Sequence, residues 1–373
     1  KRRKGAGSER ARACTRPNDP MMPPPEEDVM MQRMLMAGVT SADLMDHPLA
    51  NHLTRMVRSD KNDTLIRVLG DTMKRSLENA NMPAFYYRSR AIFAIKVLPD
   101  TGDEVFMFGM YVREFGADAP PMNRGRVHIE AIDSTALYAG ELPEERQNIL
   151  TAIVAGYLDY SRCHGFEFAH IRVPPPTDGN AHIFASRALN VRLKASMHLS
   201  NWYKRILRGA VSCGIVASFT VKESLATANG AGFPYSLLSA RDVATERAFV
   251  QLQEANPHGS VPDVDRFFTA HLQVEGNIAP YTEDPAPCLP TVVASNRKDL
   301  AEFISRETLF FHMPSHAVLS TMVLIKAVYD GQRVYLMQQR AAMDLSPFDQ
   351  QQRSSMQSPF VIPGTPSTPH SNA

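Results

Sequence analysis

Alternating and continuous runs of apolar residues predict four β-strands in the first half of the chain. Ala91–Val97 and Glu104–Glu114 are rich in β-branched and aromatic residues, and the turn-forming stretch Pro99–Asp103 separates them. This order predicts a β-hairpin. Val127–Asp133 alternates between apolar and polar positions, which is typical of a half-buried strand, and Phe168–Val173 predicts a short strand.

Apolar residues at helical spacing predict four helices. In the first, Pro143–His164, Pro143 suits the first turn and Gly165 suits a C-terminal cap. The other three predicted helices span Leu199–Cys213, Ala240–Gln253 and Lys298–Leu309. Asn296 is the expected N-cap of the last one.

The end of the chain's apolar pattern predicts a second hairpin. Val318–Tyr329 and Val334–Met337 are rich in β-branched residues, and the dipeptide Asp330-Gly331 lies between them. Asp-Gly is a strong signal for a two-residue hairpin turn.

Apolar periodicity continues without a break from Leu49 to Met337, so we predict one large domain over residues 44–340. Its expected fold is α/β, or more narrowly α+β, with a central mixed β-sheet flanked by helices. Residues 1–43 are basic and rich in Pro and Met, and residues 341–373 are rich in Ser, Pro and Gln. Both segments are predicted to be disordered tails.

Composition narrows the class of protein. Hydrophobic residues make up 44% of the chain and charged residues 21%, which is typical of a globular protein, and the net charge of +1 gives no case for nucleic-acid binding. The four cysteines are far apart, so neither a zinc site nor a disulfide scaffold is expected. No apolar run is long enough for a membrane span. The basic cluster Lys1–Lys4 is either a nuclear import signal or a solvated tail.

Six short segments carry the information about chemistry. They are Tyr86–Ala94, Phe108–Gly116, Asn123–Ser134, Gly156–Tyr160, His170–Pro176 and Trp202–Leu207. In order and spacing they resemble the acetyltransferase domain of the CREB-binding protein family. The fourth is GYLDY where the family has GYLEY, and the sixth is WYKRIL where the family has WYKKML. Leu300–Phe311 and Ser320–Val328 resemble the family's closing helix and strand.

This resemblance implies a substrate cofactor and a set of residues that bind it. In the family, acetyl-CoA lies in a cleft over the central sheet, and the substrate lysine enters through a narrow channel. By position, the implied acetyl-CoA-binding residues are Ile132, Asp133, Ser134, Arg146, Gln147, Arg192, His198 and Trp202. An arginine at position 146 suits this ligand, because a guanidinium can bind the phosphates of CoA through two hydrogen bonds. No metal ion is implied.

Tyr203 matches the tyrosine that serves as the family's general acid. A phenol with a pKa of about 10 is protonated at pH 7, so it can donate a proton to the departing thiolate of CoA. The alternative is that Trp202 and Tyr203 are packing residues, as aromatic residues at helical spacing usually are.

Two substitutions fall in the implied lysine channel. Arg172 stands where the family has tryptophan, and a guanidinium there repels an incoming ammonium unless it turns toward a carboxylate or a CoA phosphate. Pro174 replaces a cysteine and removes a backbone N–H. Leu237 also stands where the family has a carboxylate that attracts basic substrates.

These features favour a nuclear histone or protein lysine acetyltransferase. Its expected partners are histone tails, other basic proteins and transcription factors. One alternative is a catalytically weak or inactive CoA-binding scaffold in a transcription complex. The other is an acyltransferase for a small amine.

Overall fold

A mixed β-sheet lies at the centre of the fold. The computed structural model describes residues 38–57, 63–75, 85–121, 123–135, 143–172, 183–184, 196–222, 267–280 and 293–343. Within these ranges the strands are β1 (Thr64–Arg75), β2 (Tyr86–Val97), β3 (Glu104–Phe115), β4 (Arg126–Ser134), β5 (Phe168–Arg172), β6 (Val216–Lys222) and β7 (Phe267–Leu272). Their order is β1-β2-β3-β4-β5-β7-β6. β4 and β5 are parallel and the other neighbours are antiparallel, so the predicted mixed sheet is confirmed.

Helices cover both faces of this sheet. They are α1 (Pro48–Met56), α2 (Pro143–Cys163), α3 (Ser196–Ser212), α4 (Arg297–Arg306) and α5 (Pro314–Met343). The first three pack on one face and form the first core, and α4 and α5 pack on the other and form the second core. The predicted α/β architecture is therefore confirmed. Among the described residues, no helix is long and apolar enough to cross a membrane.

The alternation along β2 shows how the sequence builds two cores. Ile92 and Ala94 belong to the first core, whereas Phe93 and Ile95 belong to the second. Successive side chains of a strand point to opposite faces. A strand covered on both faces is therefore apolar without a break, which is the pattern that predicted it.

Most predicted elements in the described ranges are confirmed. The first hairpin is β2 and β3, and α2 differs from its predicted range by one residue. Asn296 caps α4, because its side-chain oxygen accepts a hydrogen bond from the backbone N–H of Asp299 at 3.0 Å. The predicted helix Ala240–Gln253 lies outside the described residues.

The predicted second hairpin is wrong. Val318–Tyr329, Asp330-Gly331 and Val334–Met337 all lie within the single helix α5, and the family-like closing strand Ser320–Val328 is helical for the same reason. Leu324, Ile325 and Val328 have helical spacing and are buried in the second core. This burial outweighs both their strand propensity and the cost of about 1 kcal/mol for Gly331 in a helix.

A cluster of charged side chains is buried between the sheet and α2. Asp71 Oδ2 lies 3.5 Å from Nη1 of Arg90, whose Nε lies 2.9 Å from Oε1 of Glu114. Tyr157 of α2 donates a hydrogen bond to the same Glu114 oxygen at 3.2 Å. These opposite charges allow polar residues to occupy an interior position.

The domain contacts begin before the boundary predicted at residue 44. Ser41 is buried in a short 3-10 helix, Ser41–Asp43. Its backbone N–H and its hydroxyl donate to the carboxylate of Glu104 at 2.8 and 2.7 Å. Residues 1–37 lie outside the described ranges, and the limits of the domain remain a prediction.

Candidate functional site

The parallel strands β4 and β5 separate in the middle of the sheet. Their pairing runs from Arg126 and Phe168 to Ile129 and Ile171. β4 continues beyond this point and stays paired with β3 as far as Ser134, which is opposite Phe108. Among the described residues, Glu130–Ser134 therefore has a strand neighbour on one side only.

Arg146 lies at the far end of this one-sided stretch. Its Nη2 donates to the hydroxyl of Ser134 at 2.7 Å and to the carbonyl of Thr135 at 2.9 Å. Burial lowers the pKa of Arg146 from its ordinary value, and the carboxylate of Asp133 partly offsets this effect. The guanidinium stays charged, because arginine does not lose its proton in proteins. The site thus has a partly buried, fixed cation at the start of α2.

Asp133 has a structural contact of its own at this end of β4. It is buried, and its Oδ2 accepts the backbone N–H of Phe184 at 3.0 Å. Phe184 in turn packs in the second core against Phe106 and Phe311. The side chain of Asp133 therefore connects β4 to residues that follow β5 in the sequence. Ile132 and Ser134 are half-buried on either side of it.

Tyr203 packs against β7, at the level where β4 and β5 separate. Its ring centroid is 5.9 Å from that of Phe268, and Phe268 is the register partner of Ile171. Tyr203 is 5% exposed, and burial raises its pKa above the ordinary value, so the phenol stays protonated well beyond neutral pH. Trp202 packs against it with centroids 5.0 Å apart. The packing alternative is thus correct in part, because Tyr203 belongs to the first core.

The helices that carry Arg146 and Tyr203 are neighbours. α2 and α3 contact each other on the same face of the sheet. Along β4, Ile129 and Ser134 are five positions apart, which corresponds to roughly 17 Å in an extended strand. Arg146 therefore contacts one end of this stretch of β4, and Tyr203 packs against β7 at the level of the other end.

The remaining predicted residues lie next to Arg146, in the first turn of α3, at the end of β5 or outside the described residues. Gln147 is half-buried next to Arg146, and His198 is exposed in the first turn of α3. Arg172 is the last residue of β5 and pairs with Phe267, but its side chain lies outside the described part of the chain. Pro174, Arg192 and Leu237 lie outside it altogether. Their roles stay predictions.

Two features of the site were not predicted. The carbonyl of Thr135 holds Arg146, and a backbone oxygen has no signature in a sequence. The indole Nε1 of Trp202 is buried and has no hydrogen-bond acceptor among the described residues.

The described residues contain no group of three or more His, Cys, Asp or Glu side chains that could hold a metal ion.

Comparisons with known proteins match this region of the chain to one family. Residues 49–243, just over half of the chain, match the family model described as histone acetyltransferase domain KAT3. Protein cbp-1 of Caenorhabditis elegans is 32% identical over 158 residues, which cover 42% of this chain and 8% of that protein. Histone acetyltransferase HAC12 of Arabidopsis thaliana is 32% identical over 146 residues, which cover 38% of this chain and 8% of that protein.

The match thus spans less than a tenth of the length of either relative. The family-model match begins in α1 and includes β1 to β6, α2 and α3, which together contain the separation of β4 and β5 and the residues around it. The chain belongs to the KAT3 family of histone acetyltransferase domains, the CREB-binding protein type.

Proposed function

We propose that this domain transfers the acetyl group of acetyl-CoA to the side-chain amine of lysine in histone tails or other basic proteins. One observation carries the proposal. Arg146 and Tyr203 lie on the same face of the sheet. Arg146 contacts the far end of the stretch of β4 that, among the described residues, has no strand neighbour on the β5 side, and Tyr203 packs against β7 at the level of the near end. This arrangement suits a long ligand with phosphates at one end and a thioester at the other.

The residues at the α2 end fit the anionic part of CoA. Arg146 is fixed by Ser134 and Thr135 through Nη2, and its Nε has no hydrogen-bond acceptor among the described residues. A guanidinium held in this way can still donate to a phosphate. Binding would also gain from the low local dielectric around a partly buried cation.

Tyr203 is suited to the chemical step. The neutral lysine nitrogen attacks the carbonyl carbon of the thioester, the C–S bond breaks, and the sulfur leaves with the electron pair. Burial raises the pKa of Tyr203, so its hydroxyl remains a donor and can protonate that sulfur. The nitrogen loses its extra proton to solvent, and the phenol regains one from solvent.

Arg172 and Pro174 would shape the entrance for lysine. Replacing Arg172 by tryptophan would remove a positive charge from the entrance and restore an aromatic wall. We expect Arg172→Trp to raise kcat/KM for a lysine peptide, because repulsion of the incoming ammonium is relieved. An unchanged rate would show that the lysine does not enter beside β5.

The nucleus, chromatin and transcription factors are the proposed setting. They rest on the relatives that are named histone acetyltransferases, which share this region of the chain. The activity, substrates and partners of the whole protein are proposals for the same reason.

The test is transfer of radiolabelled acetyl from acetyl-CoA to a histone H4 tail peptide, with calorimetry of CoA binding alongside. Wild type should bind CoA and label the peptide, and spermidine should be a poor acceptor. Binding without labelling would identify a scaffold instead, and labelling of spermidine alone would identify a small-amine acyltransferase. Absence of binding would refute the proposal.

A further inference from the structure

One row of side chains across the whole sheet is polar. The register aligns one residue from each strand on the face opposite α1, α2 and α3: Thr72, Ser89, Arg113, His128, His170, Thr269 and Thr220. His170 is the fifth of these seven residues, on a strand with neighbours on both sides, and is 1% exposed. A buried polar residue in the centre of a sheet is costly unless it is hydrogen-bonded, so its contacts are informative.

His170 is bonded to the strands on both sides of β5. Its Nε2 is 3.1 Å from Nη1 of Arg126 on β4, and its Nδ1 is 3.2 Å from Oγ1 of Thr269 on β7. Arginine can only donate, so Nε2 is the acceptor and the imidazole proton is on Nδ1. Nδ1 then donates to the hydroxyl of Thr269. These contacts fix one tautomer of a neutral imidazole.

Arg126 is itself held in place. Its guanidinium carbon lies 4.5 Å from the centroid of the Phe168 ring, and that ring stacks on His271 of β7 with centroids 5.1 Å apart. The cation therefore has a cation–π contact as well as the acceptor on His170. The side chains of β4, β5 and β7 thus form one connected group.

This connected group lies next to the point where β4 and β5 separate. His170 pairs with His128, and the pairing of β4 and β5 ends with the next residue pair, Ile129 and Ile171. Beyond that pair the backbone ladder no longer fixes the distance between the two strands. His170 lies one residue pair before the end of this ladder, and its side chain bonds β5 to β4 on one side and to β7 on the other.

We propose that the chain of contacts Arg126–His170–Thr269 sets the separation of β4 and β5 at the acetyl-CoA site, and that His170 is a positioning residue for this ligand. The proposal rests on the proposed function, because it names the residues that hold the two edges of the same site. A 1 Å displacement of a binding surface is enough to weaken binding and catalysis substantially.

The test uses variants that differ in one hydrogen bond. Thr269→Val removes the hydroxyl at nearly constant volume, and Thr269→Ser retains it. His170→Leu removes both contacts, and His170→Gln retains a donor and an acceptor on one side chain. We expect the KM for acetyl-CoA and the Kd for CoA to rise about tenfold in His170→Leu, with a smaller rise in Thr269→Val. The Ser and Gln variants should restore affinity in part, and kcat at saturating acetyl-CoA should change less than KM.

Leu324→Ala is the control for general destabilisation. Leu324 is buried in the second core on α5, away from β5, so this variant should lower Tm without changing the Kd for CoA at 15 °C below its Tm. If His170→Leu and Thr269→Val lower Tm but bind CoA as tightly as wild type, the residues are structural only and the inference is wrong. If wild type itself binds no CoA, the proposed function has failed instead.

Discussion

The guanidinium of Arg146 lies 2.7 Å from the hydroxyl of Ser134, measured from Nη2 to Oγ, and this hydrogen bond ties the first turn of α2 to the last residue of β4. The same nitrogen also donates to the carbonyl of Thr135. The orientation of the guanidinium is therefore set by groups at the end of β4. Orientation of this kind matters for phosphate binding, because both N–H bonds of Nη2 are used within the protein and a phosphate must meet the remaining N–H groups along directions that the guanidinium plane fixes.

Arg146→Ala should raise the KM for acetyl-CoA by about tenfold or more and leave kcat nearly unchanged, because a phosphate contact far from the thioester binds ground and transition state alike. Steady-state kinetics with varied acetyl-CoA measures this. Arg146→Lys keeps the charge without the planar fork and should be intermediate. Ser134→Ala tests the anchor alone, and a loss as large as that of Arg146→Ala would mean that orientation counts for more than charge.

Tyr203→Phe should lower kcat by about 100-fold or more with little change in Tm, because it removes only the proton donor. Pre-steady-state transfer to the peptide measures this. A rate equal to that of wild type would exclude Tyr203 as the general acid.

The pH profile gives a second check on Tyr203. Burial raises its pKa, so the phenol should not ionise as pH rises through about 10, the ordinary tyrosine range. The transfer rate should therefore increase with pH as the substrate lysine loses its proton, with no fall below about pH 10. A falling limb near pH 9 that is absent from Tyr203→Phe would contradict the raised pKa.

Removing one partner from the buried charge cluster should lower the free energy of unfolding strongly. Arg90→Met leaves Asp71 and Glu114 buried with less compensation, and we expect it to cost about 3–5 kcal/mol of unfolding free energy in urea denaturation. Lys298→Met removes one partner of the exposed pair with Glu302 and should cause no measurable change.

The pH dependence of stability follows from Asp71. Burial opposes the charged form, but Arg90, the hydrogen bond from His47 and Arg88 together hold the pKa of Asp71 below its usual value. The native state therefore binds the proton more weakly than the unfolded state. The stabilisation of the native state by ionised Asp71 is complete above the ordinary aspartate pKa of about 4 and is lost as pH falls through the lower native value. The stability difference between wild type and Asp71→Asn should narrow below pH 4, and a constant difference would argue against a lowered pKa.

Two helical glycines should respond oppositely to alanine. A Cβ at Gly209 in α3 would meet nothing within 4 Å, so Gly209→Ala should stabilise the protein by up to about 1 kcal/mol. A Cβ at Gly156 in α2 would lie 3.0 Å from Cδ2 of Leu53 and 3.2 Å from Cβ of Met56. Gly156→Ala should therefore push α1 away from α2 and lower Tm. Equal shifts for the two variants would mean that α1 and α2 are less closely packed than described.

The helices and strands predicted correctly from the sequence are those in which the spacing of apolar residues fits one kind of element. In α2, Ile153, Val154, Tyr157 and Leu158 have helical spacing, and all four are fully buried. Strand β1 was not predicted, because charged residues interrupt its apolar pattern. It contains Arg67, Asp71 and Lys74, and Asp71 is buried because Arg88 and Arg90 of β2 compensate its charge. A charge that is neutralised by a residue on another strand cannot be recognised locally.

Only those residues of the candidate site that lie within or beside the family-like motifs could be predicted from the sequence. The resemblance singled out Arg146 and Tyr203 as candidates, and the structure places them on neighbouring helices. It could not show that Asp133 uses a carboxylate oxygen to hold the backbone of Phe184, because that contact joins residues 51 positions apart. For the same reason it assigned no role to His170, although the motif contained it.

The bond between Asp133 and Phe184 has an entropic consequence. The chain leaves β5 at Arg172 and enters α3 at Ser196, and Phe184 is close to the midpoint of that connection. A fixed point near the middle of a connection divides one long closure into two shorter ones, each with its own smaller entropy cost. Pro174 and Arg192 lie on opposite sides of this fixed point in the sequence. If the proposed function holds, we expect changes around one of them to leave the other in place, so that the residues for lysine entry and for cofactor binding can diverge separately within one domain.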